Sequence, residues 1–194
     1  MMRRILRLLA CGAVVLSLVA CTPTGRAVGD TQDSMPSIAH DSTHKTDITV
    51  GFVGSTDTAA DKKAIDALAD DTLNVYYASL DTSGDSETAD KIAATAQQGV
   101  TDFVDRAVKI VIISGIDVTD ANRDSWNQAL TNAREAGIPV ALLNPKHAPE
   151  DELLYAAILN TDDAASANSV SIADAVITIA RDEPHDRTIA VATE

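Results

Sequence analysis

Residues 133–145 read AREAGIPVALLNP, and this stretch decides the fold. Ala133 continues a 3.6-residue apolar stripe that starts at Trp126, Ala129 and Leu130, so a helix over 120–136 runs up to Gly137. Glycine accepts the left-handed backbone that ends many helices, and Pro139, two residues on, cannot extend one. Val140 to Leu143 then run as four apolar residues into Asn144-Pro145. An unbroken apolar run between a helix and a polar stop predicts a strand covered on both faces, the environment of a parallel sheet.

The same unit repeats outward in both directions. Strands are predicted over 47–53 (DITVGFV), 73–80, 109–114 (KIVIIS), 138–143, 155–160 and 188–193 (TIAVAT). Between them lie helical stripes. Residues 57–71 align Ala64, Ile65 and Leu68, and 86–107 align Ile92, Ala96, Val100, Phe103 and Ala107. Residues 162–181 align Ala165, Ser169, Ile172, Val176 and Ile179. Thr58-Ala-Ala-Asp61 fits a capping box at the first helix. Strand–helix alternation implies right-handed crossovers, hence an α/β fold with a doubly wound parallel sheet and helices on both faces. Residues 47–194 are enough chain for one core, in which Trp126 is expected.

The front of the chain is different. MMRRILRLLACGAVVLSLVAC places Arg3, Arg4 and Arg7 before an apolar run, Leu8 to Ala20, that is too short to span a bilayer. Those are the flanks and length of a secretory signal peptide over residues 1–20. Leu18-Val19-Ala20-Cys21 resembles the bacterial lipobox, in which the cysteine thiol carries the lipid. Cys21 is thus the expected lipidation site, and the membrane the expected partner through that anchor. The other cysteine, Cys11, leaves with the leader, so no disulfide is expected. Residues 21–46 have the Thr/Ser/Asp/Gly/Pro composition of a flexible tether, which as a coil reaches roughly 25–30 Å. His40 and His44 lie in it and read as solvated residues, not a metal pair.

Net charge is −14, and the leader holds three of the fifteen Lys and Arg residues and none of the acids. The mature chain is therefore more acidic still. That disfavours nucleic acid, whose phosphates require a concentrated basic surface, and it disfavours electrostatic docking on anionic lipid.

Doubly wound sheets take ligands beyond the carboxyl ends of their strands. The exits here are Gly54-Ser55-Thr56-Asp57, Asp81-Thr82-Ser83, Ser114-Gly115-Ile116-Asp117, Asn144-Pro145 and Thr161-Asp162-Asp163. Ser55, Thr56, Asp57, Asp81, Ser114, Asp117, Asn144 and Asp162 are the candidate ligand-binding residues, all of them polar hydrogen-bonders. GFVGSTDT is neither a P-loop nor Gly-x-Gly-x-x-Gly, and Gly-x-Ser-x-Gly is absent. Nothing in their spacing pairs Ser114 with His147 as nucleophile and base. No catalytic residue, metal ligand or cofactor is expected.

DITVGFVG, then YYASLDTSGDSETADKIAATAQQGVTDFVDRAVKIVIISGIDVT, ALTNAREAGIPVALLNP and AAILNTDDAASANSVSIADAVI resemble, in order and spacing, the type 1 periplasmic-binding-protein family of the ribose-binding and LacI-related group. With the lipobox, the resemblance is to a substrate-binding lipoprotein of an ABC transporter. It implies capture of a small polar solute such as a carbohydrate outside the cell, and docking on an ABC permease. Residues 47–161 would be the N-terminal ligand-binding lobe. Residues 162–194 would be the helix crossing into a second, incomplete lobe, together with that lobe's first strand. Two features depart from the sugar-binding members: the first loop has no aromatic residue, and Asn144-Pro145 replaces an Asp-Arg pair. Aromatic residues make up 3% of the chain, so stacking platforms for a hexose ring are scarce. Two other readings compete. One is a one-lobe surface lipoprotein that contacts another protein through its loop face or through an unpaired strand near Thr188–Ala192. The other is a flavodoxin-like enzyme, which would have to bind flavin.

Overall fold

The structure is a computed structural model that describes residues 25–33, 44–80, 89–162 and 165–193. After a short 3₁₀ turn at Lys45–Asp47 come β1 (Thr49–Val53), α1 (Thr58–Asp70), β2 (Asn74–Ala78), α2 (Ala89–Asp105), β3 (Ile110–Ser114), α3 (Arg123–Glu135) and β4 (Val140–Leu143). A second 3₁₀ turn at Glu152–Leu154 leads to β5 (Ala157–Asn160), β6 (Val170–Ser171), α4 (Ile172–Ala180) and β7 (Thr188–Ala192). The strands form one sheet in the order β2-β1-β3-β4-β5-β7-β6, with every pair parallel.

Alternation along the strands divides the core. Val50, Phe52, Ile110, Ile112, Ala141 and Leu143 turn to one face, where Ala64 and Leu68 of α1 and Ile172, Val176 and Ile179 of α4 cover them. Val53, Val111, Ile113, Val140 and Leu142 turn to the other, under Val100 and Phe103 of α2 and Trp126 and Leu130 of α3. Both faces of β3 are therefore sealed, which is why KIVIIS shows no polar alternation. The doubly wound parallel sheet with helices on both faces is as expected, and Trp126 is in the core at 2% exposure. Gly137, at φ +71°, closes α3 in the left-handed conformation.

The structure corrects the sequence reading in three places. First, residues 162–181 do not form one helix. Val170–Ser171 is a short strand, and α4 begins only after Ser171, whose Oγ accepts from the Asp174 amide at 2.9 Å. Ser166, Asn168 and Ser169 lie ahead of that cap, and such residues favour turns and caps over helix interiors. Second, the capping box is not the one expected. Asp57, not Thr58, caps α1 by accepting from Ala60 N at 3.0 Å, and this frees Asp61 for another partner. Third, β7 was expected to open a second lobe or to lie unpaired. Instead its Ile189 and Ala190 register with Leu159 and Asn160 of β5, and its Val191 and Ala192 with Val170 and Ser171 of β6. With both flanks paired, Thr188–Ala192 offers no free edge; the open edges of the sheet are β2 and β6. Among the described residues, no helix is long and apolar enough to cross a membrane.

Candidate functional site

Strand order reverses at β1, whose neighbours β2 and β3 lead away in opposite directions. The carboxyl ends of β1 and β3 therefore bound the crevice in which such sheets take ligands. Two openings lie there. A narrow cavity of about 130 Å³ runs between the β1 and β3 exits and helices α2 and α3, lined by Ser55, Thr56, Ser114, Asp117, Trp126 and Lys146 among others. A wider groove of about 630 Å³ crosses the β3, β4, β5 and β7 ends, lined by Asp57, Lys63, Ser114, Asn144, Thr161 and Thr193 among others. Ser114 borders both.

Six of the predicted residues thus gather around these openings: Ser55, Thr56, Asp57, Ser114, Asp117 and Asn144. Asp162 lines neither. It is exposed, and its amide donates to Asn160 Oδ1 at 2.9 Å; Thr161 takes the place in the groove wall instead. Asp81 and Cys21 fall outside the described residues.

Several of these side chains are occupied in building the site. Asp61, 1% exposed in the first turn of α1, accepts from the Ser55 amide at 2.6 Å and from Ser55 Oγ at 3.0 Å. Ser55 Oγ in turn accepts from Asp57 N at 3.0 Å. The loop after β1 is thereby tied to the helix it feeds, and Ser55 positions the loop. Asn144, at φ +46°, donates from Nδ2 to Thr161 Oγ1 at 2.7 Å and accepts from Thr161 N at 2.9 Å, joining the β4 and β5 exits. His147 Nδ1 lies 2.6 Å from Asp117 Oδ1, and Val118 N donates to His147 O at 3.0 Å, so the loops after β3 and β4 are joined too. Trp126 Nε1 is buried and has no acceptor among the described residues, on a side chain that lines the narrow cavity.

The rim therefore offers hydroxyls, two carboxylates (Asp57 and Asp117), two ammonium groups (Lys63 and Lys146) and an amide around the strand ends. That is hydrogen-bonding equipment for a small polar molecule. Among the described residues no group of three or more His, Cys, Asp or Glu is placed to hold a metal ion. Sequence reasoning missed Asp61, Lys63 and Lys146, and at the exit after β5 it chose Asp162 over its neighbour Thr161. Asp61 sat in a motif that already had a local explanation, Lys146 lies one position beyond the Asn144-Pro145 exit, and Lys63 lies six positions beyond the first exit, inside the helix.

Asn144 gives a direct test of the rim. Asn144→Gly keeps the positive φ and removes only the two bonds to Thr161, whereas Asn144→Ala also strains the backbone. The glycine variant is expected to cost about 1–2 kcal/mol and the alanine variant about 1 kcal/mol more, read by urea denaturation. Equal costs would mean that the positive φ carries no strain.

No protein-family model matches the chain, and no curated protein matches it. Among solved structures, it is similar to a Mycobacterium smegmatis protein in complex with β-D-fucofuranose, at 18% identity over 62% of this chain and 37% of that one, with a TM-score of 0.47. It is similar to a galactofuranose-binding protein at 16% identity over 74% of this chain and 56% of that one, TM-score 0.46. A third is the periplasmic binding protein component of the arabinose ABC transporter from Shewanella sp. ANA-3, bound to α- and β-L-arabinofuranose. It shows 16% identity over 73% of this chain and 54% of that one, TM-score 0.42. The chain thus spans from little more than a third to just over half of the length of these three proteins. Likeness at this level assigns neither a family nor a ligand.

Proposed function

We propose that the chain is a ligand-binding lobe of an extracytoplasmic solute-binding lipoprotein, a non-catalytic receptor that presents a small polar solute to an ABC permease. The observation that carries this reading is the wide groove at the strand ends, lined by Asp57, Ser114, Asn144 and Thr161 among others. The leader over residues 1–20, the lipid on Cys21 and the permease belong to the same proposal. So does a carbohydrate as the solute.

Thermal unfolding with a panel of pentoses and hexoses, furanose-forming sugars first, tests it. A solute present at a hundred times its Kd adds about 2.7 kcal/mol to stability, a readily measured rise in Tm. Ser114→Leu puts a bulky apolar side chain where the two openings meet. It is expected to weaken binding of any hit at least tenfold while the unliganded Tm stays within a few degrees. No Tm rise with any polar solute at millimolar concentration would remove the solute-binding reading.

One observation favours the protein-contact reading. Tyr76 and Tyr77, on the open-edged strand β2, are 45% and 43% exposed, and Arg106 lies over the Tyr76 ring at 5.8 Å. A photo-crosslinker at position 76 that captures one discrete membrane protein in whole cells would support it; uniform low-level capture would count against it.

A further inference from the structure

Residues 26–32 lie in the stretch whose composition reads as a free tether, yet they pack on the sheet. Ala27, Asp30 and Thr31 are 2%, 4% and 5% exposed. The Asp30 carboxylate meets the Arg187 guanidinium, which also donates to Glu152 O at 2.6 Å and stands over the Tyr155 ring at 4.6 Å. Thr31 Oγ1 donates to Glu183 O at 2.6 Å, and His185 N donates to Gln32 O at 3.1 Å. His185 Nε2 lies 2.7 Å from Gly29 O, and Arg134 Nη2 donates to Arg26 O at 2.9 Å. Gly29 is pressed so closely that a Cβ there would stand 2.8 Å from Pro139 Cβ and 3.2 Å from Ile179 Cγ2.

Every one of these partners is at the same end of the fold. Pro139 precedes β4, Tyr155 precedes β5, and His185 and Arg187 precede β7. Arg134 and Ile179 lie in the last turns of α3 and α4. That is the amino-end face of the sheet, and the candidate site is at the carboxyl ends. A five-residue parallel strand separates the two faces by about 17 Å before the loops are added.

We infer that residues 26–32 form a clasp that fixes how the domain stands on the membrane, with its amino-end face toward the bilayer and its binding groove away from it. The inference rests on the lipid-anchored reading of Cys21. Three residues lie between Cys21 and Gly25, and the four Cα-to-Cα steps that join them span at most about 14 Å even when fully extended. The free coil expected from composition would reach roughly 25–30 Å and hold no orientation. Charge contributes little to this arrangement, because the body is acidic; the short leash and the docking contacts set it.

Thiol chemistry on the full chain in native membranes tests both parts separately. In the unmodified chain, Cys21 is expected to resist a maleimide reagent because it carries lipid; a reactive Cys21 would overturn the anchor and with it the orientation. Ala27→Cys places a thiol inside the clasp. It is expected to react at least tenfold more slowly than the same thiol in chains that also carry Arg187→Ala or Gly29→Val. The second of these alters only the clasp itself, so it stays informative if Arg187→Ala fails to fold. Equal rates in all three would overturn the clasp whatever the state of Cys21. For orientation, a donor dye on Asp105→Cys, at the amino-end face, and another on Asp162→Cys, at the groove end, are compared for energy transfer to a membrane acceptor. Transfer is expected to be stronger from position 105, with the difference shrinking in Gly29→Val. Equal transfer, or stronger transfer from position 162, would overturn the orientation.

Discussion

Asp61→Ala is expected to destabilise the protein by about 2–4 kcal/mol and to loosen the loop that carries Ser55, Thr56 and Asp57. The carboxylate is 1% exposed and accepts two bonds from Ser55, one from the amide at 2.6 Å and one from Oγ at 3.0 Å. Truncation leaves both donors in a buried place without an acceptor, each at a cost of about 1–3 kcal/mol. An opposing effect is that burying a carboxylate is itself unfavourable, so its removal gives something back. Two features keep that refund small. Asp61 lies in the first turn of α1, where the helix dipole favours negative charge, and its oxygens already hold donors. The bonds therefore win. Asp61→Asn keeps an acceptor for the Ser55 amide and is expected to cost about half as much as alanine. The measurement is a urea midpoint for each variant, with the m-value checked for constancy. If alanine costs under 1 kcal/mol, the carboxylate does not hold the loop. Solute affinity, once a solute is found, should fall in the same order, because the loop borders the narrow cavity.

How legible each part was follows from how many explanations its residues allow. IVII in β3 and VALL in β4 allow only one, since a continuous apolar run framed by a helix stop and a polar exit must be buried on both sides. All six predicted strands therefore exist, each within a few residues of its expected bounds. β6 was hidden because two residues carry no period, and Val170 and Ser171 sat inside a stripe that the helix pattern already accounted for. The placement of β7 was hidden for a different reason. TIAVAT says that a strand forms, but which neighbour it pairs with is decided by tertiary packing of α4 under the sheet, and composition does not record that.

The site shows the same division. Exits rich in Ser, Thr, Asp and Asn gather at the carboxyl ends because the topology places them there, and six of the eight predicted ligand residues meet around the two openings. Which of them face outward could not be read. Ser55 and Asn144 are largely consumed by Asp61 and Thr161, whereas Ser114 borders both openings. The clasp is the plainest case. Gly, Thr, Asp and Gln suit a solvated tether and a docked loop equally well, and the partners that decide between them, Arg187 and His185, are more than 150 residues away in the chain.

The second large effect is expected at Gly51, in the middle of β1. Its φ calls for nothing unusual; what it lacks is space. A Cβ on Gly51 would lie 2.5 Å from Phe103 Cγ, 2.6 Å from Cδ2 and 2.9 Å from Cβ, so α2 rests its phenylalanine directly on the strand backbone. Phe103 is 4% exposed and packed in the core on that face, and its own Cβ is among the blocked atoms, so rotation of the ring alone does not relieve the clash. Gly51→Ala is therefore expected to cost about 2–3 kcal/mol, at the upper end of ordinary overpacking. The reduced freedom of the unfolded chain offsets it by no more than about 0.4–1 kcal/mol. Phe103→Ala alone is expected to cost about 3–5 kcal/mol through the cavity it leaves. Combined, the two should cost clearly less than their sum, because the added methyl enters space the ring has vacated; a coupling of at least 1 kcal/mol is expected. Urea denaturation of the two single variants and the double variant measures it. Additivity within about 0.3 kcal/mol would mean that the ring and strand do not touch, and that α2 lies farther from β1 than described. A favourable coupling would instead confirm that one missing side chain sets how closely the helix lining the narrow cavity approaches the strand that opens it.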